Sequence, residues 1–420
     1  MNQTLRDHAE QIVRAAIHAV RPDEAVGRIL RQFPPGDRVY VVAAGKAAWK
    51  MTEAALKHIS WGILGGVVVT KYGHVEYPLP GVVCFEAGHP IPDENGMRGT
   101  QAALDLTANL TREDTVLFLL SGGGSALFEK PLVPLDTLQQ ITQQMLACGA
   151  DIVEINTIRK RLSAVKGGRF AQWCSPAKVM AIVLSDVLGD PLDMIASGPA
   201  APDRSTCGQA TEILQKYGLQ VGPETAALLR KETPKVLTNV ESHVIGSVRE
   251  LCRAAEGVCR DLGYEPVFLT DQLNCEAREA GRFLAAILRS HQNAPKPLAF
   301  LAGGETVVHL RGSGLGGRNQ ELALGAAEGL AGIHHAALIS IGSDGTDGPT
   351  DAAGGYVDGD SFTQLCSAGF APPRALAEND AYHALASVGG LIKTGPTGTN
   401  VNDITVALLS NRTNDENIKA

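Results

Sequence analysis

The sequence predicts an α/β fold: a mostly parallel sheet covered by helices on both faces, divided into two domains. Three observations predict it. The short apolar runs are continuous rather than alternating, which marks strands buried on both faces. Each of the clearest runs ends in a glycine-bearing turn that opens onto a helical segment. Aromatic residues are scarce, at 5%, while glycines number 46 in 420 residues, a composition suited to many tight strand-to-helix turns. A chain of this length fits two domains of ordinary size, each able to bury a core.

Residues 5–20 read as a helix, because Leu5, Ile12, Val13, Ala16, Ile17 and Val20 recur near a period of 3.6. A strand over 39–43 leads to Gly45 and a helix over 46–58, and a second strand covers 66–70. The run 116–120 leads to a glycine turn at 121–125 and a helix over 134–148; the run 179–184 leads to the loop 185–190. Residues 201–235 are more polar and helical, with Pro223 as a helix start and Pro234 as a stop. The domain boundary is placed there, giving domains 1–236 and 237–420. The second domain reads as a strand at 242–246, a helix at 247–262, a strand at 265–269 and a helix at 275–292. Strands at 298–302 and 306–310, a helix at 319–330 and strands at 337–341 and 404–409 complete it. No internal repeat or low-complexity tract is present.

Net charge is −8 and the pI about 5.8, which argues against a nucleic-acid partner, since that needs a basic face. A local basic pocket for a small anion is still compatible with an acidic protein. The N-terminus has no apolar signal core, and the longest apolar stretches, 63–70 and 116–120, are far shorter than a membrane span. The expectation is a soluble, cytoplasmic protein. None of the eight cysteines forms a CxxC pair or a zinc template, so they read as reduced, mostly buried thiols.

In open α/β sheets, ligands gather outside the carboxyl ends of the strands, so the residues after each strand carry the functional reading. After the first strand comes Gly45-Lys46. A lysine at a helix N-terminus faces an end that is already positive, and a bound anion would resolve the conflict; an exposed surface lysine is the plain alternative. Ser121-Gly122-Gly123-Gly124-Ser125 exposes backbone N–H groups after a buried strand, as an anion cradle does, but no Walker A sequence is present. Between Arg159 and Arg169 lie Lys160, Arg161 and Lys166; on a helix, Arg159, Ser163 and Lys166 would share a face, either to meet an anion or as a solvated surface. Asp186 and Asp190 come after a buried strand, where a carboxylate can hold a metal or orient a nucleophile, or cap a helix. Gly303-Gly304-Glu305 and then Gly312, Gly314 and Gly317 precede Arg318 and Asn319. These glycines satisfy GxGxxG, with Asp344 where a ribose-binding acid is expected, yet a glycine loop bearing an arginine suits a phosphoryl clamp equally well. Asp344, Asp347 and Asp351 suit Mg²⁺ or hydroxyl groups, but no EF-hand pattern closes. Residues 394–403, with Thr397 and Asn400, are dense in hydroxyl and amide donors.

Taken together, Ala44-Gly45-Lys46, Gly88-His89-Pro90 with Pro92-Asp93, and the stretches 120–126, 160–168, 184–190, 303–305, 317–321, 342–349 and 394–403 resemble the class II glycerate 2-kinase family, also called MOFRL or TtuD-like, some of whose members carry the name hydroxypyruvate reductase. The resemblance runs over nearly the whole chain. It implies two unlike three-layer α/β/α domains, the first Rossmann-like, with the active site in the cleft between them. It also implies ATP- and Mg²⁺-dependent phosphorylation of D-glycerate at the 2-hydroxyl. On that resemblance Lys46 and Arg318 are the expected catalytic groups, joined by Asp186. Residues 121–125 (Ser121, Gly122, Gly123, Gly124 and Ser125), Lys166, Asn319, Thr397 and Asn400 are expected to bind substrate or phosphate, and Asp190, Glu305 and Asp344 to hold the metal. The partners are then glycerate and a nucleotide, with no nucleic acid and no membrane, and a homodimer is left open. A hydroxypyruvate reductase would need NAD(P)H and no ATP, and a non-catalytic sensor would bind without turnover.

Overall fold

Continuous apolar runs do become buried strands. A computed structural model describes residues 2–59, 62–185, 187 and 189–411. The chain divides into two units: Pro22–Ile245, and Met1–Arg21 together with Gly246–Ala420.

The unit Pro22–Ile245 is built on β1 (Val39–Ala44), β2 (Gly65–Lys71), β3 (Val82–Ala87), β4 (Thr115–Leu120), β5 (Lys178–Leu184) and β6 (Val240–Gly246). Their order is β3-β2-β1-β4-β5-β6, and the neighbours from β3 through β5 pair in parallel. This is the doubly wound arrangement of a dinucleotide-type sheet. From β1 the chain winds outward to β2 on one side, and from β4 to β5 on the other, so the order reverses between β1 and β4. Every residue of β4 is buried, and Phe118, Phe128 and Phe170 pack with ring centroids 4.7–5.5 Å apart beside it. Helix Glu94–Leu106 packs on β2 and β3; its N-terminus is capped by Asp93, which accepts from the Gly96 amide at 2.9 Å.

The other unit holds β7 (Glu265–Leu273), β8 (Leu298–Gly304), β9 (Ala336–Gly342), β10 (Gly354–Asp358), β11 (Leu391–Ile392) and β12 (Asp403–Leu409), in the order β11-β10-β9-β12-β8-β7. Only β7 and β8 are parallel; β12 runs antiparallel between β8 and β9, and β9, β10 and β11 are antiparallel in turn. The mostly parallel sheet expected of the Rossmann-like N-terminal domain is the sheet of the first unit, and the second, unlike domain has a mostly antiparallel one. An uninterrupted apolar run reports burial on both faces, and β9 and β12 are buried throughout, but it does not report strand direction. Helices Ala277–His291 and Arg318–Leu330 share one apolar core with Phe300, Leu338, Val357, Ala407 and Leu409. Helices Gln3–Ala19 and Val248–Asp261 pack on each other and on the same sheet.

Two further expectations are corrected. Residues 306–310 form no strand: Val307 makes a single isolated bridge to Glu276, and Leu310 is 82% exposed. A single cut at 236/237 also misses that the N-terminal helix belongs with the C-terminal half of the chain. All eight cysteines are free, but Cys148, Cys275 and Cys366 are exposed; burial pushes the thiols of Cys174, Cys252 and Cys259 up to about 12. Among the described residues, no helix is long and apolar enough to cross a membrane.

Candidate active site

The loops after β1 and β4 meet where the strand order reverses. Gly45 has φ +125°, and a Cβ on it would lie 2.2 Å from the Ser121 hydroxyl. This contact brings the two loops into register. The Lys46 amide donates to the Gly122 carbonyl at 2.9 Å, and the Ala47 amide to Ser121 Oγ at 2.9 Å. The Lys46 ammonium is half-buried and has no hydrogen-bonding or ionic partner among the described residues. Beside it, Gly123 has φ +85°, and its missing Cβ leaves room for the His89 ring, whose Cδ2 would lie only 2.9 Å from such an atom. Burial, then the charges of Lys46 and Lys71, hold the His89 imidazole below its usual value of 6.5. The amides of Gly122, Gly123 and Ser125 find no acceptor among the described residues, so the loop offers unsatisfied donors next to a free cation.

The basic stretch has neither of the two fates the sequence leaves open. Helix Ile152–Arg161 ends before Ser163, and Lys160, Arg161 and Lys166 are buried. Lys160 pairs with Asp203 at 3.0 Å and with Asp193 at 3.2 Å. Lys166 is expected at the ligand, but its ammonium donates to the carbonyls of Ser125 (2.8 Å) and Phe128 (3.0 Å) and lies 3.3 Å from the buried Glu129 carboxylate. Burial lowers its pKa to about 8. It braces the glycine loop from behind. Asp186 lies outside the described residues. Asp190 adopts a left-handed φ of +51°.

In the other unit, three loops converge at one end of the sheet: those after β8 and β9, and the one entering antiparallel β12. Arg318, the first residue of helix Arg318–Leu330, is fixed by two carboxylates. Its Nε and Nη2 donate to Asp403 at 2.5 and 3.0 Å, and Nη1 to Glu305 at 2.9 Å. Glu305, expected at the metal, is an ion-pair partner of Arg318. Asn319 is buried, with its amide on Asp347 and its carbonyl oxygen accepting from Ser340 at 2.6 Å, so it braces the helix start instead of reaching a ligand. Thr397 is half-exposed and donates to the Ser343 carbonyl at 2.5 Å, and Asn400 is exposed. Asp344 Oδ1 accepts from the Thr346 amide and hydroxyl, both at 2.9 Å, leaving Oδ2 open among the described residues. No group of three or more His, Cys, Asp or Glu side chains that could hold a metal ion occurs among the described residues.

The GxGxxG match has a packing explanation. Cβ atoms on Gly312 and Gly314 would fall 2.4–2.6 Å from the backbone of Glu378, and one on Gly317 would fall 2.3 Å from Asp347. The donors a pyrophosphate would need are already used: the amides of Asn319 and Gln320 bond the Asp347 carboxylate at 3.1 and 2.8 Å. The glycines let the loop lie against residues 378–380, and an internal carboxylate occupies the anion position.

Several contributors do not stand out in the sequence. His89 and Asp403 sit inside motifs without distinguishing themselves, and Asp347 is one of three acids in its stretch. No one-dimensional signal separates them from their surroundings, because each acts through a neighbour distant in sequence.

The chain matches two family models: a domain of unknown function (DUF4147) over residues 8–230 and the MOFRL family over residues 298–403. It is 52% identical to D-glycerate 2-kinase of Thermotoga maritima, over 97% of this chain and 99% of that protein. It is 39% identical to glycerate 2-kinase of Pyrococcus horikoshii, over 95% and 94%. A crystal structure of glycerate kinase from Thermotoga maritima superposes with a TM-score of 0.94 at 52% identity, covering 97% of this chain and all of that one. An Agrobacterium vitis protein, 38% identical over 96% and 94%, carries a provisional hydroxypyruvate reductase name. With 97% of its length matched at 52% identity and its fold reproduced, the chain belongs to the glycerate 2-kinase family.

Proposed function

We propose that this enzyme transfers the γ-phosphoryl group of ATP to the 2-hydroxyl of D-glycerate, releasing ADP and 2-phosphoglycerate. The observation that carries the reading is the unpartnered Lys46 ammonium beside the unsatisfied amides of Gly122, Gly123 and Ser125, at the reversal point of a doubly wound sheet. Phosphoryl transfer asks a protein chiefly for positioning and for positive charge around the moving group. Lys46 supplies that charge, and the loop amides hold phosphate oxygens. Arg318, held rigid by Asp403 and Glu305, is the preorganised cation of its own unit, where the exposed Asn400 amide is a further donor. Mg²⁺, when bound, would supply charge neutralisation for the donor phosphates. Asp344, with one open oxygen, fits a site needing only one or two protein carboxylates, and Asp190 is the second candidate. Asp186 is assigned to orient the accepting hydroxyl, and an Asp186→Ala enzyme with full activity would remove it from the mechanism.

The test is one purified protein in two assays. The first supplies D-glycerate, ATP and Mg²⁺ and reads ADP, with enolase added to identify the 2-phospho product. The second supplies hydroxypyruvate with NADH or NADPH and tracks absorbance. Turnover is expected only in the first; turnover only in the second would replace this reading with the reductase, which the internal capping by Asp347 disfavours.

A further inference from the structure

Residues 195–198 form a turn with no packing reason for its conformation in the sequence. Ala196, Ser197 and Gly198 are consecutive left-handed residues, with φ of +51°, +61° and +65°. Two of them are not glycine, which is costly and persists only where the surroundings enforce it. The surroundings do. The Gly167 and Gly168 amides donate to the carbonyls of Ser197 and Gly198 at 3.0 and 2.7 Å. Ala196 lies against Gly124, where a Cβ would fall 2.7 Å from its own. The result is a fully buried Ser197 hydroxyl that reaches two partners: it donates to Asn156 Oδ1 at 2.8 Å and lies 3.0 Å from Ser125 Oγ.

A hydroxyl has one proton. Because that of Ser197 is committed to Asn156, the proton in the Ser125–Ser197 bond comes from Ser125. The half-buried Ser125 Oγ is then left with lone pairs only. An oxygen in that state repels a phosphate or carboxylate oxygen and accepts from a hydroxyl. The Ser125 carbonyl is fixed as well, by Lys166 at 2.8 Å and Arg159 at 2.8 Å.

We propose that Ser125 is a specificity-determining acceptor for a hydroxyl of the acceptor substrate, with Ser197 and Asn156 as positioning residues that keep its proton turned inward. This deepens the phosphotransfer reading and rests on it. It also reassigns Ser125: the amides of the loop serve phosphate, and the side chain serves the hydroxy acid.

The experiment is steady-state kinetics of Ser125→Ala, Ser197→Gly, Asn156→Leu and the double variant Ser125→Ala/Ser197→Gly, with thermal unfolding as control. Ser197→Gly removes the hydroxyl while relieving the left-handed backbone, so loss of function cannot be attributed to a strained or unfolded turn. Each single variant is expected to raise KM for glycerate roughly five- to tenfold, the worth of one hydrogen bond, with KM for ATP unchanged. The double variant is expected to match Ser125→Ala alone, because the two hydroxyls act as one unit. Ser125→Thr, which keeps the hydroxyl, should recover most of the loss. A raised KM for ATP with unchanged KM for glycerate would overturn the proposal and make Ser125 a phosphate donor. Additive losses would overturn the relay. A wild-type enzyme that does not phosphorylate glycerate at all would sink the underlying reading instead, a result distinct from both.

Discussion

Lys46 is a cation without a counter-charge among the described residues, and its placement depends on two glycines. Gly45 lets the loops after β1 and β4 touch, and Gly123 makes room for His89. Truncating Lys46 to alanine is expected to lower kcat about 10²- to 10³-fold, the usual loss when one preorganised charge-stabilising group is removed. The melting temperature should hold, because no internal partner is stranded; a variant with near-normal kcat would remove Lys46 from the chemistry. Gly123→Ala combines a left-handed φ with a collision against the imidazole. Gly149→Ala is the control, since it has a similar φ of +75° and nothing within 4 Å. Both should lose about 1–2 kcal/mol of stability to backbone strain, read by chemical denaturation, but only Gly123→Ala should lose most of its activity. Equal activity in the two would mean that the His89 contact has no functional weight.

At the start of helix Arg318–Leu330, an element and its charge set each other. Asp347 accepts from two amides there, yet burial dominates and pushes its carboxyl up to about 6, with the neighbouring Asp403 charge adding to the rise. The unfolded chain would release that proton near 3.8. The fold therefore binds the proton more tightly than the unfolded state does. The stability this gives is complete below about pH 3.8 and is lost as pH rises to about 6, a change of about 3 kcal/mol. Denaturation of wild type and Asp347→Asn across pH 4–7 should show the wild type losing ground to the variant over that window and then levelling off. A pH-independent difference would show that the carboxylate stays charged throughout. Elements of this kind explain what is legible in the sequence. The glycine loop at 121–125 and Gly45-Lys46 can be read because a strand, a turn and a helix announce themselves locally. The burial of Lys160, Arg161 and Lys166 cannot, because their partners Asp203 and Glu129 lie far from them along the chain and on other elements. The short strands β3 and β10 lack a long apolar run, and β12 gives no sign of its direction.

At the scale of the molecule, the discontinuous unit is what sequence order conceals. A reading from one end to the other groups residues 1–21 with their immediate successors, whereas the helix Gln3–Ala19 buries Leu5, Ile12, Val13 and Ile17 within the unit Met1–Arg21 plus Gly246–Ala420. It packs on helix Val248–Asp261 and on β9 and β12, and the Asn2 amide donates to Asp358 at 2.6 Å. Burying those four side chains contributes on the order of 10 kcal/mol, comparable to the whole stability of a typical domain. A chain beginning at Pro22 should thus leave one unit intact and undermine the other. Amide hydrogen exchange would read this directly: protection in β9, β12 and helix Val248–Asp261 should fall, while β1, β4 and β5 keep theirs. If β1, β4 and β5 opened instead, the N-terminal helix would belong to the first unit, and the assignment of Arg318 to a unit stabilised from the far end of the chain would have to be withdrawn.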